Sequence, residues 1–228
     1  MGSNPKLILI DGLPGSGKST LAERLTRSLE SSGLTCECWY ETQTEHPLNP
    51  LPPDEMGVAW ADIHRLMSVD EFATRSIDRW TRFVREPRSD CTILESFPFQ
   101  CSVRVLLQMN ADRDAIDAYW RSWQKVVENA DTCIVFFRET DVEGLIRQTC
   151  LLRGPEWTRY LFESIERMRY VEVRGWHGEA AAIGLFRVYA QLLDELLAES
   201  TVPVVIDKAR PLNYEARHAR VIAAVRGH

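Results

Sequence analysis

The sequence has little basic character and lacks any apolar run long enough to cross a bilayer. Its 33 acidic residues outnumber 27 lysines and arginines, which gives a formal net charge of −6. Nucleic acids select proteins with basic surfaces, and a membrane-spanning helix needs about 20 consecutive apolar residues. We therefore expect neither a nucleic-acid partner nor a membrane partner. Because no secretory leader is recognisable either, the expected location is cytoplasmic.

The six cysteines do not form the C-x-x-C pairs that bind zinc or exchange disulfides. Three of them, Cys36, Cys91 and Cys133, lie in or beside apolar runs, where a reduced thiol packs as a small hydrophobic side chain. The chain also lacks internal repeats and low-complexity tracts. Apolar residues make up 45% of the sequence, which suffices for a core, and we predict a single domain over residues 1–228.

One segment near the N-terminus predicts a phosphate-binding loop. Residues 7–20 read LILIDGLPGSGKST, which is an apolar strand pattern, a complete G-x-x-x-x-G-K-S loop and the start of a helix pattern. Glycines allow the backbone N–H groups to wrap a polyphosphate at the positive end of the helix. The lysine reaches the outer phosphates, and the serine hydroxyl binds Mg²⁺. The expected cofactors are ATP, with GTP left open as the donor, and Mg²⁺; the predicted binding residues are Gly12, Pro14, Gly15, Ser16, Gly17, Lys18, Ser19 and Thr20.

Strand and helix patterns alternate along the whole chain. Strand patterns cover about residues 7–11, 35–40, 91–95, 132–137 and 202–207. Helix patterns cover about residues 17–32, 57–86, 112–129, 156–174, 179–199 and 213–226, and a further helix starts at Asp141. Strands separated by helices favour a parallel sheet covered on both faces. We predict an α/β fold of the P-loop NTPase type, which is a three-layer sandwich around a central five-stranded parallel sheet.

Two helical segments are predicted to extend this frame. The first is an insertion over about residues 54–88, in which Phe72 and Trp80 belong to one apolar stripe. The second is a lid over about residues 141–157, where Gly154-Pro155 breaks the helix and permits closure. Arg147 and Arg153 flank the end of that helix, and guanidinium groups suit the charge of a transferring phosphoryl group. Both arginines are candidate catalytic residues.

Acidic residues follow two of the strands, at the sheet edge where ligands of parallel sheets bind. Glu41 follows the second strand pattern and Glu95 the third. Either carboxylate could accept the proton of an attacking hydroxyl, and Glu95 could also help Ser19 to hold Mg²⁺. His46 and Phe99 join the two acids as candidate substrate-binding residues.

The seven tryptophans divide into two groups. Trp80, Trp120 and Trp123 lie on apolar helical stripes and are predicted to belong to the core. Trp39, Trp60, Trp157 and Trp176 fit no such stripe. Of these, Trp60 lies in the insertion and Trp157 at the C-terminal end of the lid. These two are the better candidates for stacking on a ligand.

The order of these motifs resembles the P-loop kinases of the thymidylate kinase and deoxynucleoside kinase superfamily. In deoxynucleoside kinases a glutamate at the end of the second strand serves as base for the substrate hydroxyl, and the resemblance implies this role for Glu41. A Glu-Arg-Ser motif follows their third strand, whereas this chain has Glu95-Ser96-Phe97 and lacks the arginine. The lid arginines of the family correspond to Arg147 and Arg153.

A second likeness is narrower. Glu41, the run Glu45-His46-Pro47 and the run from Glu95 to Gln100 together resemble an uncharacterised bacterial branch of thymidylate-kinase-like ATP-binding proteins. This resemblance implies the fold but no substrate.

The resulting functional prediction is an ATP-dependent phosphotransferase. We expect transfer of the γ-phosphoryl group to a hydroxyl or phosphate of a nucleoside-like, nucleotide-like or other small metabolite, and a homodimer is left open. The alternative is a nucleotide-dependent switch or regulator built on the same loop. A regulatory GTPase is disfavoured because residues 202–210 read VPVVIDKAR and lack the Asn-Lys-x-Asp guanine motif. The Leu-Ser-Gly-Gly signature of transport ATPases is absent as well.

Overall fold

The strands form one parallel sheet with β1 at its centre. The computed structural model describes residues 6–43, 45–51, 60–86, 89–208 and 214–226. Within these ranges the strands are β1 (Leu7–Gly12), β2 (Cys36–Trp39), β3 (Cys91–Glu95), β4 (Thr132–Arg138) and β5 (Val204–Lys208), in the order β2-β3-β1-β4-β5. Leu7 of β1 pairs with Thr92 on one side and Thr132 on the other. The predicted five-stranded parallel sheet is confirmed.

Helices connect the strands and cover the sheet. The described α-helices are α1 (Lys18–Glu30), α2 (Val69–Arg85), α3 (Arg104–Gln108), α4 (Arg113–Val127), α5 (Val142–Arg153), α6 (Pro155–Glu166), α7 (Arg169–Glu172), α8 (Gly178–Ala198) and α9 (Tyr214–Arg226). A 3₁₀-helix covers Trp60–Arg65, and a π-helical turn covers Phe99–Val103. No helix in the described part of the chain is long and apolar enough to cross a membrane.

The core has two parts, one on each face of the sheet. Successive side chains of a strand point to opposite faces, and β1 sends Leu7 and Leu9 into the larger cluster and Ile8 and Ile10 into the smaller. The larger cluster includes residues from α2, α4 and α8, and the smaller cluster includes residues from α1 and α9. This is the predicted three-layer arrangement. Trp80, Trp120 and Trp123 are fully buried in the larger cluster, as their helical spacing predicts.

Several predicted segments differ in detail. The insertion expected at residues 54–88 consists of the 3₁₀-helix and α2, and residues 52–59 and 87–88 lie outside the described ranges. The single helix expected at 156–174 is instead α6 and α7, because Met168 between them has an extended backbone (φ −67°, ψ 132°). The π-helical turn and α3 were not predicted. Their sequence contains no cap or periodic pattern long enough to indicate a helix.

Candidate active site

The loop between β1 and α1 has the backbone that its glycines predict. Gly15 and Gly17 adopt positive φ angles of 85° and 92°, a region that side-chained residues rarely occupy. A Cβ atom at Gly15 would lie 2.1 Å from the Thr149 hydroxyl of α5. The loop therefore requires glycine there both for its conformation and for the close approach of α5.

Lys18 is held in the loop by a full set of acceptors. Its Nζ donates to the carbonyl oxygens of Gly12 (3.2 Å) and Leu13 (3.3 Å) and to Oε1 of Gln100 (3.0 Å). The same atom lies 3.9 Å from Oε1 of Glu95, and both side chains are buried. The ammonium group is thus positioned beside the loop, where it can meet the outer phosphates of a nucleotide.

Ser19 and Glu95 form an oxygen pair that suits a magnesium ion. The Ser19 hydroxyl donates to Oε1 of Glu95 at 3.4 Å. Burial raises the pKa of the Glu95 carboxyl, the Lys18 cation lowers it, and the nearby Glu41 carboxylate raises it further. Mg²⁺ prefers oxygen ligands and uses few from the protein alongside phosphate oxygens and water. Among the described residues no cluster of three or more His, Cys, Asp or Glu side chains could hold an ion alone.

Glu41 is connected to the same group through Gln100. The Gln100 amide donates to the Glu41 carboxylate, and the Glu41 backbone N–H donates to Oε2 of Glu95 at 3.4 Å. Gln100 therefore lies between Lys18 and Glu41 and contacts both. This brings together a cation and two carboxylates that are far apart in the sequence.

Asp11 fixes the turn that carries Gln100. Its fully buried carboxylate accepts hydrogen bonds from the backbone N–H groups of Gly12 (2.7 Å), Phe99 (2.9 Å) and Gln100 (3.2 Å). Burial raises the pKa of Asp11 to about 7, against the lowering effect of Lys18 and of these N–H donors. The π-helical turn is thereby tied to the end of β1, which sets Gln100 against Lys18.

Arg217 of α9 braces the loop between β1 and α1 from the other side. It is only 1% exposed. Its guanidinium donates to the carbonyl oxygens of Ser16 (3.1 Å) and Lys208 (2.6 Å) and to Oδ2 of Asp207 (3.2 Å). It also lies 4.2 Å from the ring centroid of Phe137. One buried arginine thus joins the loop, the end of β5 and the last helix.

These groups open into a cavity of about 830 Å³. Ten of the predicted site residues line it: Pro14, Gly15, Gly17, Lys18, Ser19, Thr20, Glu41, His46, Glu95 and Arg153. The guanidinium carbon of Arg153 lies 5.5 Å from the ring centroid of Trp157. Trp60 and Trp157, the two tryptophans expected to face a ligand, both belong to the lining. The cavity falls within the size range of small-molecule sites.

The remaining predicted site residues lie outside the lining. Gly12 and Ser16 contribute carbonyl oxygens to Lys18 and Arg217. Arg147, predicted as catalytic, is instead an exposed residue whose Nε donates to Glu179 at 2.8 Å and whose Nη1 lies 2.8 Å from Glu143. The salt bridge to Glu179 links α5 to α8, whereas Glu143 belongs to α5 itself. The structure does not bring Arg147 to the cavity.

Phe99, predicted to bind substrate, has its side chain in the core. Its ring centroid lies 5.1 Å from that of Trp120 and 5.9 Å from that of Phe136. Phe97, two residues earlier, lines the cavity and stacks on His46 with ring centroids 4.3 Å apart. The phenylalanine of this segment that lines the cavity is therefore Phe97 and not the predicted Phe99.

His46 is a neutral part of the cavity wall. Burial lowers the pKa of its imidazole to about 4. Its Nδ1 accepts a hydrogen bond from the Leu48 N–H at 3.1 Å, so the ring proton of the neutral form lies on Nε2. That nitrogen is buried and has no protein partner among the described residues.

A solved structure shares this fold. The crystal structure of the YorR protein from Bacillus subtilis, in complex with phosphorylated GDP, matches with a TM-score of 0.53 at 13% sequence identity over 96% of this chain and 95% of that chain. This likeness shows a shared α/β fold. Deoxyadenosine kinase from M. mycoides with bound dATP matches with a TM-score of 0.49 at 15% identity over 96% of this chain and 99% of that chain. Neither a protein-family model nor a curated protein matches the sequence.

Proposed function

We propose that this protein acts as an ATP-dependent kinase of a small molecule. The observation that carries the proposal is the contact chain Lys18–Gln100–Glu41, with Glu95 3.9 Å from Lys18, at the edge of a cavity of about 830 Å³. A phosphate-binding cation and two carboxylates then meet in a space that can also admit an acceptor. A nucleotide switch would need the loop but not the adjoining cavity.

The donor nucleotide would be held by the loop and by Lys18. When bound, Mg-ATP supplies the γ-phosphoryl group that the acceptor receives. Ser19 and Glu95 are the oxygen ligands available to Mg²⁺, directly or through water. Arg153, at the rim of the cavity beside Trp157, supplies positive charge to the transferring group. Most of the rate would come from alignment and electrostatics, because the protein does little covalent chemistry in phosphoryl transfer.

We assign proton removal from the acceptor hydroxyl to Glu41. Its side chain is exposed to the cavity, whereas Glu95 is buried and already contacts Ser19 and Lys18. The Gln100 amide, which donates to the Glu41 carboxylate, orients it. This gives the two acids separate tasks, with Glu95 at the metal and Glu41 at the acceptor.

Acceptor-dependent release of ADP tests the proposal. Purified protein is incubated with Mg-ATP and a panel of hydroxyl and phosphate acceptors, and Lys18→Ala serves as the blank. We expect ADP release that depends on the acceptor, and a fall of about a hundredfold or more in kcat for Glu95→Gln. Nucleotide binding by Glu95→Gln, measured by calorimetry, should persist.

Glu45→Gln is the matched control, because Glu45 is an exposed acid of the same loop region that does not line the cavity. It should retain the turnover of the unaltered chain. ADP release that ignores every acceptor would favour a plain NTPase or switch over a kinase. Replacing ATP by GTP in the same assay identifies the donor.

A further inference from the structure

Arg104 is a charged residue of the cavity wall that is held by neutral groups. It is the first residue of α3, is half-buried and lines the cavity. Its guanidinium donates from Nε to the Gln100 carbonyl oxygen (3.1 Å) and from Nη1 to Oε1 of Gln108 (3.0 Å). Within the described ranges no carboxylate forms an ion pair with it. The positive charge is therefore fixed in position without being neutralised.

The support behind this guanidinium is itself fixed. Gln108 is fully buried, and its amide nitrogen donates to the carbonyl oxygen of Trp60, which also lines the cavity. Since the nitrogen of the amide is used in this way, its oxygen faces Arg104. The second N–H of Nη1 and both N–H groups of Nη2 have no partner among the described residues. Adjacent N–H groups of a guanidinium match the two oxygens of a carboxylate.

The other cations of the described lining are in different situations. Lys18 lies 3.9 Å from a carboxylate oxygen of Glu95 and belongs to the phosphate-binding end. Arg153 is exposed, so water solvates its charge, and it contacts the ring of Trp157. Arg104 combines partial burial with the lack of a carboxylate partner. Burial of a charge is costly unless the charge is paired, and an anionic group of a ligand would supply the pairing.

The number of charges favours a carboxylate over a phosphate. One guanidinium balances the single negative charge of a carboxylate. A phosphate monoester carries about two negative charges at neutral pH, and the second would face Glu41 and Glu95, which line the same cavity. Those two acids also disfavour an anion at their own end. A ligand with one carboxylate would therefore place that group at Arg104 and a neutral group at Glu41.

We propose that the acceptor is a hydroxy acid, that is, an alcohol with one carboxylate, and that Arg104 binds the carboxylate through two hydrogen bonds. The acceptor hydroxyl oxygen forms a bond to the γ-phosphorus, the bond from that phosphorus to the bridging oxygen of ADP breaks, and the hydroxyl proton passes to Glu41. The carboxylate is unchanged in this step. The inference rests on the proposed function for the reaction, whereas binding of the carboxylate does not depend on it.

Pairs of acids and amides test the class of acceptor. The probes are 3-hydroxypropanoate, 6-hydroxyhexanoate and 4-(hydroxymethyl)benzoate, which differ in the spacing between hydroxyl and carboxylate, and the primary amide of each. ADP release is measured with Mg-ATP. In at least one pair we expect kcat/KM for the acid to exceed that for the amide by about tenfold or more. Equal use of acid and amide in all three pairs would overturn the inference. A preference for 4-(hydroxymethyl)phenyl phosphate over all three acids would overturn the assignment of a carboxylate.

Variants of Arg104 locate the effect. Arg104→Gln should lower kcat/KM for the preferred acid by about tenfold or more and change that for its amide by less than about twofold, because only the acid loses a charge-assisted contact. Equal losses for acid and amide would show that Arg104 acts on Glu41 or on the fold, and would overturn the inference. If Arg104→Gln does not fold, Arg104→Lys replaces it. This variant keeps the charge but loses the paired donors, and the preference for the acid should again decrease.

Arg167→Gln is the matched control. Arg167 is an exposed arginine between α6 and α7 that pairs with Asp62 at 3.3 Å and does not line the cavity. Its loss should leave the preference for the acid unchanged. If Arg104→Gln and Arg167→Gln reduced this preference equally, the carboxylate site would not be at Arg104.

Calorimetry separates this inference from the proposed function. If no compound stimulates ADP release, the kinase proposal fails, and binding of the three acids and their amides is then measured directly. Tighter binding of an acid than of its amide, lost in Arg104→Gln and kept in Arg167→Gln, would support a carboxylate site without a kinase reaction. Binding that does not distinguish acid from amide, or no binding of any acid, would overturn the inference.

Discussion

The two ends of the cavity are built in opposite ways. The phosphate-binding end uses one contiguous segment, residues 12–20, and its central cation is fixed by hydrogen bonds of 3.0 to 3.3 Å. The other end, which we call the acceptor chamber, uses side chains spread from Trp60 to Phe186 on several elements. Its wall combines apolar side chains such as Trp60, Phe97 and Phe186 with polar ones such as Arg104 and Tyr160. Hydrogen bonds fix the position of a group with constant geometry such as a phosphate, whereas apolar side chains select a ligand by its shape and size.

This difference implies that the two ends can be altered separately. A substitution in the chamber should change which acceptor binds and leave the donor end intact. A substitution at the supports of the loop should weaken nucleotide binding for every acceptor. The predictions below compare the two ends, from the largest expected effect to the smallest.

The largest effect is expected at Arg217. Arg217→Lys keeps a positive charge but loses the forked donors that reach the carbonyl oxygens of Ser16 and Lys208. Charge-assisted hydrogen bonds contribute about 2 kcal/mol, so the dissociation constant for Mg-ATP should rise by about thirtyfold. Calorimetry measures this constant, and thermal melting verifies that the variant is folded.

Arg220→Ala is the matched control for Arg217. Arg220 also pairs with Asp207, at 2.8 Å, but it is exposed and its recorded bonds do not reach the loop. Nucleotide affinity should be unchanged in this variant. If Arg217→Lys and Arg220→Ala bind Mg-ATP equally well, the brace on the loop has no role in nucleotide binding.

The second effect concerns the two lid arginines. Arg153→Ala should lower kcat/KM by about tenfold, because its guanidinium lines the cavity and can offset phosphoryl charge. Arg147→Ala should stay within about twofold, since exposed salt bridges contribute little. Both residues are exposed arginines of α5, which makes them a close pair. If steady-state kinetics showed equal losses of kcat/KM in the two variants, Arg147 would have the catalytic role that the sequence predicted.

The phosphate-binding end could be predicted from the sequence because its requirements are local. A strand, glycines at fixed spacing and a helix specify the loop before any tertiary contact forms. Glu41 and Glu95 could be predicted as neighbours because parallel strands end at one edge of the sheet. Both acids do lie at that edge and are joined through the Glu41 N–H.

The arginines show where such reasoning fails. Arg147 and Arg153 are six residues apart, which turns the side chain by about 240° around a helix axis, so both could not face one cavity. Arg217 and Ser16 are 201 positions apart, and no local pattern indicates their contact. The same holds for the chamber, whose apolar residues look like core residues in the sequence until the elements are assembled.

The smallest effect is expected at His46 and concerns stability against acid. The pKa of the folded-state imidazole is lowered to about 4 by burial, whereas an unfolded chain has a histidine pKa of about 6.5. Between these values the unfolded chain binds a proton that the folded chain does not, so stability is present above about pH 6.5 and is lost as the pH falls towards 4. From pH 6.5 to 5 this contribution to the free energy of unfolding should decrease by about 1.5 kcal/mol.

His46→Asn tests this prediction, because asparagine cannot titrate and its side-chain oxygen can still accept from the Leu48 N–H. Urea unfolding at both pH values should therefore show a smaller loss of stability in this variant than in the unaltered chain. His177→Asn, at an exposed position outside the cavity, is the control and should keep the full acid dependence, whereas an unchanged dependence in His46→Asn would show that the chamber histidine is not the titrating group.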